Sequence, residues 1–112
     1  MLPKTDSPQD VARYAPIFAA LGDETRLSLV MRLSDQRKQT LSTLSADTSL
    51  SRQAITKHLR VLEGAGLVQC ERQGRESRYA LTPGPFKDID EYINFVSDQW
   101  GNALDCLKDL VE

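Results

Sequence analysis

The sequence has no apolar run approaching the roughly 20 residues that a membrane-spanning helix needs. Its opening, M-L-P-K-T-D-S-P-Q-D, places acids and prolines where a signal peptide carries its apolar stretch, so a cytoplasmic protein is expected. Cysteine is scarce. Cys70 and Cys106 form neither a disulfide framework nor a Cys-x-x-Cys zinc pattern, and both are expected to stay reduced. Histidine is scarcer still, with His58 alone. Soft divalent metals want Cys or His ligands, and these three residues are scattered, so no metal or other cofactor is expected. One histidine, no nucleophile motif and no glycine-rich phosphate loop after a strand argue against an enzyme. The 112 residues leave room for a single domain, 1–112, with one modest core.

Positive charge is also short overall, with a formal net charge of −2, but it is not spread evenly. Residues 1–50 carry six basic and six acidic side chains. Residues 51–82 carry six basic (Arg52, Lys57, Arg60, Arg72, Arg75, Arg78) against three acidic, a net of +3. Residues 83–112 carry two Lys against seven acids, a net of −5. Affinity for phosphates follows the local field rather than the total, so the middle third is the segment suited to nucleic acid.

That third, Ser51–Leu81, is the most informative stretch. Ser51 is suited to capping a helix, and Ile55, Leu59 and Leu62 recur behind it at helical spacing with Ala54 and Ala65 beside them. The opposite face is Arg52, Gln53, Thr56, Lys57 and Arg60. All can reach phosphates, and Arg52, Gln53 and Lys57 can present donors to base edges in a major groove. Gly64 and Gly66 then end the helix. Two strands are predicted next, Leu67–Arg72 and Ser77–Leu81, around the loop Gln73-Gly74-Arg75-Glu76. Arg72, Arg75 and Arg78 crowd its tip and flanks. A cationic hairpin directly after a helix with a cationic face is the winged form of helix-turn-helix.

The remainder fits that frame. Residues 1–8 lack periodicity and are expected to be a disordered lead-in. From about Pro8, Val11, Ala15, Phe18 and Leu21 mark a helix that Pro16 either kinks or restarts. Asp23 can cap a second helix, with Leu27, Val30, Met31 and Leu33 expected inward. Gln36–Thr40 reads as a polar connection, and a short helix over about Leu41–Asp47 follows, with Leu41 and Leu44 inward. Thr48-Ser49-Leu50 turns the chain into the Ser51 helix, giving helix-turn-helix. The expected class is therefore mainly α, about five helices plus a two-stranded wing.

Beyond Thr82-Pro83-Gly84-Pro85, apolar residues step by three or four to the end: Phe86, Ile89, Ile93, Val96, Trp100, Leu104, Leu107 and Val111. A terminal helix (83–112) this apolar exceeds what so small a domain can cover, so its stripe is expected to pack against a second copy. DNA readers of this size commonly double up to span two half-sites.

Three ordered motifs resemble the ArsR family of bacterial winged-helix repressors, over about residues 15–112. Phe18-Ala19-Ala20-Leu21-Gly22-Asp23-Glu24-Thr25-Arg26-Leu27 is similar to the family's opening A-L-x-D-x-T-R-L/R. The segment from Ser51 to Val68 is similar to its recognition helix, S-x-x-x-[VI]-S-x-H-L-x-x-L-x-x-A-G-L-V. Gly74-Arg75 with Tyr79-x-Leu81 fits its wing. The resemblance implies a homodimer built on the first and last helices, which adds Phe18 to the dimer face. It further implies a double-stranded operator and repression of transcription; operator sequence and inducer are not readable from the chain.

The chain departs from the family's metal sensors. Their thiolate pair would fall near Thr40 and Ser42, and neither is Cys; residues 83–112 hold no His for a terminal-helix site. Asp88, Asp90 and Glu91 at that helix's start favour its dipole. A thiol sensor using Cys70 or Cys106 is one alternative, and a winged helix that binds protein is another. The cationic helix face speaks against the second. His58 is either a DNA contact, as its place in the K-H-L motif favours, or a residue tucked under the turn.

Overall fold

The computed structural model describes residues 8–34, 39–46 and 48–111. The expected lead-in, residues 1–8, lies outside that set except for Pro8, and the side chain of Val111 lies outside it too. Among the described residues the order is α1 Pro8–Leu21, α2 Glu24–Leu33, β1 Gln39–Thr40, α3 Leu41–Ala46, α4 Arg52–Gly64, β2 Val68–Gln73, β3 Glu76–Leu81 and α5 Pro83–Val111. The fold is mainly helical with a small antiparallel sheet and a winged helix-turn-helix order, as expected.

The sheet has three strands where two were expected. β1 pairs antiparallel with β3, Gln39 opposite Tyr79 and Thr40 opposite Arg78, in the order β1-β3-β2. Two residues are too few to show strand alternation, so Gln39 and Thr40 read only as connection; the open edge of β3 makes them a strand. Gln39 is held from the other side by its Nε2, which donates to the Arg32 carbonyl at 2.6 Å.

α1 runs through Pro16 without a break. Proline removes one backbone donor there, but Tyr14 and Ala20 are buried on either side of it, and Ile17 and Leu21 pack against the core. α2 buries Val30 and Leu33 as expected, but its buried face is shifted by one residue. Leu29, Val30 and Leu33 are buried, while Leu27 and Met31 are 49% and 65% exposed. Five of the seven residues Leu27–Leu33 are apolar, so spacing alone does not choose the face.

The core gathers Leu29, Leu33, Leu44, Ile55, Leu59, Leu62 and Leu67, all essentially fully buried. Burying each such side chain contributes about 1.5–3 kcal/mol. α4 supplies three of them at one-turn spacing, which fixes which side of it is left for solvent. Its C-terminus is a Schellman turn. The Gly66 amide donates to the Glu63 carbonyl at 2.9 Å and the Leu67 amide to the Leu62 carbonyl at 3.0 Å. Gly66 takes φ of 80°, and the turn delivers Leu67 into the core at the foot of β2. The hairpin is tighter than expected. Gln73 pairs with Glu76, leaving Gly74 (φ 64°) and Arg75 as a two-residue turn.

α5 begins at Pro83, and Pro85 follows in the first turn, where helical amides have no intrahelical acceptor to lose. Its first turns join the domain: Ile89 is buried and Phe86 packs beside it. From Ser97 to Leu110 every side chain is exposed. At about 1.5 Å per residue a 29-residue helix is about 43 Å long, so half of it projects past the core.

Candidate nucleic-acid interface

α4 is held in place by a chain of local devices. The Arg32 guanidinium on α2 reaches the end of α3, Nη1 donating to the Leu44 carbonyl at 2.7 Å and Nη2 to the Thr43 carbonyl at 3.0 Å. Those carbonyls belong to the last turn, which has no intrahelical donors for them. The other end of α3 is capped by Thr40, whose Oγ1 accepts from the Thr43 amide at 3.1 Å. In the turn, Thr48 Oγ1 accepts from the Leu50 amide at 3.2 Å. Ser51 Oγ then accepts from the Ala54 amide at 3.1 Å and starts α4.

Beyond that cap, Arg52, Gln53, Thr56, Lys57 and Arg60 line one open groove of about 370 Å³ floored by Leu41 of α3. The structure thus brings together the whole predicted helix face, and no carboxylate lines the groove. Arg52, Gln53, Lys57 and Arg60 are exposed. Thr56 is half-buried, and its hydroxyl donates back to the Arg52 carbonyl at 2.8 Å, so it meets a ligand as an acceptor. Ser51 is exposed but spends its oxygen on the cap.

The wing cations divide. Arg75 is exposed at the tip and Arg72 is exposed on β2 just before it. Arg78 is not with them: it sits mid-strand, half-buried, opposite Glu71 and with Nη2 3.8 Å from Glu76 Oε2. Its Nε is buried without a hydrogen-bond partner. Its strand register places Arg78 on the sheet with Glu71 and Glu76, its side chain still 40% exposed.

His58 stands apart from the groove residues. It points away from the groove to the start of α2, with Nδ1 3.4 Å from Arg26 Nη1 and 3.7 Å from Asp23 Oδ2. Asp23 Oδ2 accepts from the Arg26 amide at 3.0 Å, capping α2. That amide hydrogen bond outweighs the opposing effect of burial and, helped by the weaker pull of the Arg26 and His58 charges, holds the Asp23 carboxyl below its ordinary 3.8. Arg26 reaches α1 through Nε, donating to the Ala20 carbonyl at 2.6 Å, and Nη2, donating to the Ala19 carbonyl at 3.4 Å. Sequence reasoning found Asp23 as a cap and missed Arg26. Its spacing of three from the cap was the available signal.

The expected dimer residues also separate. Ile89 is only 6% exposed and belongs to the chain's own core, in the first turns of α5 beside the half-buried Phe86. Val96 is half-buried, and Phe18 on α1 is partly exposed with its ring 6.1 Å from Tyr92. Ile93, Trp100, Leu104 and Leu107 are open, Trp100 to 68%.

Residues 23–69, from the cap of α2 to the first residues of β2, match the model of the family described as "Bacterial regulatory protein, arsR family". A transcriptional regulator of Bacillus subtilis, YuzN, is 42% identical over 79 residues, which are 65% of this chain and 86% of that protein. The chain belongs to the ArsR family.

Within that family, the arsenical resistance operon repressor of Escherichia coli is 34% identical over 60% of this chain and 57% of its own length. An ArsR-like transcriptional regulator from Rhodococcus sp. RHA1 superposes with a TM-score of 0.75 at 34% identity, covering 93% of this chain and 97% of that one. The chain is thus a transcriptional regulator with a DNA-binding helix-turn-helix, and its relatives are regulators rather than enzymes. No described helix is long and apolar enough to cross a membrane.

The positions that distinguish this ArsR-family chain are occupied by hydroxyls. Thr40 caps α3 and bonds the Thr43 hydroxyl at 2.9 Å, and Ser42 is exposed beside it. At the start of α5, Asp88 is engaged by Arg13 at 2.7 Å. Among the described residues no three His, Cys, Asp or Glu side chains converge. Cys70 is half-buried opposite Tyr79, and Cys106 is exposed on α5. Burial first, then the hydrogen bond with the Cys70 thiol and that thiol's charge, push the Tyr79 hydroxyl up to about 12.

Proposed function

We propose that this regulator is a homodimeric repressor that binds a palindromic operator and does not respond to metal. The groove lined by Arg52, Gln53, Thr56, Lys57 and Arg60 carries the reading. It presents three cations and an amide on an exposed helix face, the donor set that suits phosphates and the acceptor-rich edges of guanine and adenine. Arg72 and Arg75 extend the contact from the wing. Two copies supply two such helices for half-sites about one helical turn apart. The open α5 stripe of Ile93, Trp100, Leu104 and Leu107, with Phe18 of α1, supports pairing of the two copies. Thr40 and Ser42, where family metal sensors carry thiolates, support the absence of a metal response. The protein works where its operator lies, in the cytoplasm.

The test is a titration of the chain's own upstream DNA against random duplex at several salt concentrations. Preference for the upstream DNA is expected, with affinity falling about 0.9 log unit per phosphate contact per decade of salt. Equal affinity for both duplexes at physiological salt overturns the reading. The place of Cys70, half-buried directly opposite Tyr79 across the hairpin, favours a second reading, a thiol-responsive repressor. It predicts that mild oxidant releases the operator and reductant restores it.

A further inference from the structure

Three helices are tied at one point by Asp23, Arg26 and His58, and we propose that this junction sets the rotation of α4 about its own axis, making Arg26 and His58 positioning residues for operator readout. The inference rests on the DNA-reading role proposed for α4.

Arg26 is the hub. Its Nε and Nη2 take the Ala20 and Ala19 carbonyls at the end of α1, at 2.6 and 3.4 Å, and its Nη1 meets His58 Nδ1 at 3.4 Å. The planar fork can serve both directions at once, which an ammonium cannot. Its own backbone is fixed by Asp23, whose Oδ2 accepts the Arg26 amide at 3.0 Å and lies 3.7 Å from the same His58 nitrogen. With Nδ1 unprotonated, His58 accepts from Arg26. The imidazole is only 25% exposed, so little water competes for that bond.

The placement on α4 gives the contact its consequence. At about 100° per residue, His58 lies about 160° around the helix from both Thr56 and Arg60. The pin is therefore on the side opposite the groove. Ile55, Leu59 and Leu62 bury that side without fixing its angle sharply, since apolar packing is not directional. A directional hydrogen bond is. A rotation of about 10° moves a side-chain tip about 1 Å at a helix radius of about 6 Å, enough to spoil a bidentate base contact.

The experiment measures affinity for the upstream operator and for random duplex, together with thermal melting. His58→Leu is expected to lower operator preference by about fivefold to a hundredfold, the range spanned by losing one base contact. Affinity for random duplex, which needs only charge, should stay within about twofold. His58→Asn, which keeps an acceptor near the Nδ1 position, should recover most of the preference. Arg26→Lys, a second variant in case His58→Leu folds poorly, should reproduce the loss despite its retained charge.

A purely structural role would lower melting temperature and both affinities together, with no rescue by Asn, and that result overturns the proposal. Undiminished preference in both His58→Leu and Arg26→Lys overturns it too. Wild-type protein that does not distinguish operator from random duplex overturns the DNA-reading proposal itself, so the two failures are separable.

Discussion

Tyr14 of α1 lies flat against Tyr92 of α5, their ring centroids 4.3 Å apart and their planes 18° from parallel. Arg13 beside it reaches Asp88 at 2.7 Å, so the first and last helices are joined by a stack and an ion pair on adjacent turns. The root of α5 is thereby anchored to the domain, while in its outer half every side chain from Ser97 to Leu110 is exposed. An apolar helix anchored at one end and exposed at the other suits the pairing of copies proposed above.

The stack itself should be measurable. Tyr14 is 3% exposed, and Tyr14→Ala should cost about 3–5 kcal/mol of unfolding free energy, with the Tyr14/Tyr92 coupling contributing about 0.5–1.5 kcal/mol of it. Urea unfolding of the two single variants and the double variant, at one fixed protein concentration, reads both quantities. Simple additivity would mean that the stack adds nothing beyond burial.

Charge placed on the bare half should separate the copies. Leu104→Glu with Leu107→Glu is expected to give a folded monomer by sedimentation, with operator affinity reduced about 100-fold or more, because one half-site offers too few contacts. A doubly substituted protein that still sediments as a dimer would remove α5 from the interface.

On the recognition helix, reading and positioning separate by residue. Gln53→Ala should cost about 1–3 kcal/mol on the operator and little on random duplex. Arg75→Ala should weaken both about equally, since an exposed wing tip grips backbone rather than bases. Unchanged operator preference in Gln53→Ala would mean that the helix docks in a different register. Zinc, cadmium or arsenite under reducing conditions should leave the wild-type complex bound, and release by micromolar metal would contradict the proposed metal independence.

The Asp23 cap gives a pH dependence with a definite sign. Its folded carboxyl titrates below the ordinary 3.8, so the unfolded chain binds the proton more readily and the native state prefers the carboxylate. The cap's contribution is complete above that ordinary value and is lost as pH falls through the lowered one. Asp23→Asn, which keeps a capping oxygen but no charge, should flatten this part of the acid-unfolding curve while remaining folded at neutral pH. An identical acid limb in both proteins would show that the cap's charge plays no part.

The α4 face is legible in the sequence because it depends only on local rules. A serine cap, apolar residues one turn apart and a glycine at the left-handed position each act within a few residues, and Ser51, Ile55, Leu59, Leu62 and Gly66 behave accordingly. The split of charge along the chain likewise needed only counting. Local rules faltered where a segment carried too little pattern or too much. Two residues could not announce β1, and the apolar residues of α2 spread over more than the one face it buries, so Leu29 took the buried place expected for Leu27 and Met31.

By itself, then, the sequence determined the order of the helices and the hairpin, the cationic helix face and the unmatched apolar stripe of α5, since periodicity, capping and charge act at short range. Only the tertiary structure decided which way the shared residues turned. Strand register set Arg78 among carboxylates, the first turns of α5 took Ile89 into the core, and the approach of α2 to α4 drew His58 from the DNA face to Arg26 and Asp23. Each outcome depends on a neighbour distant in the chain, and a side chain with two chemically acceptable environments is assigned only when packing brings one of them within reach.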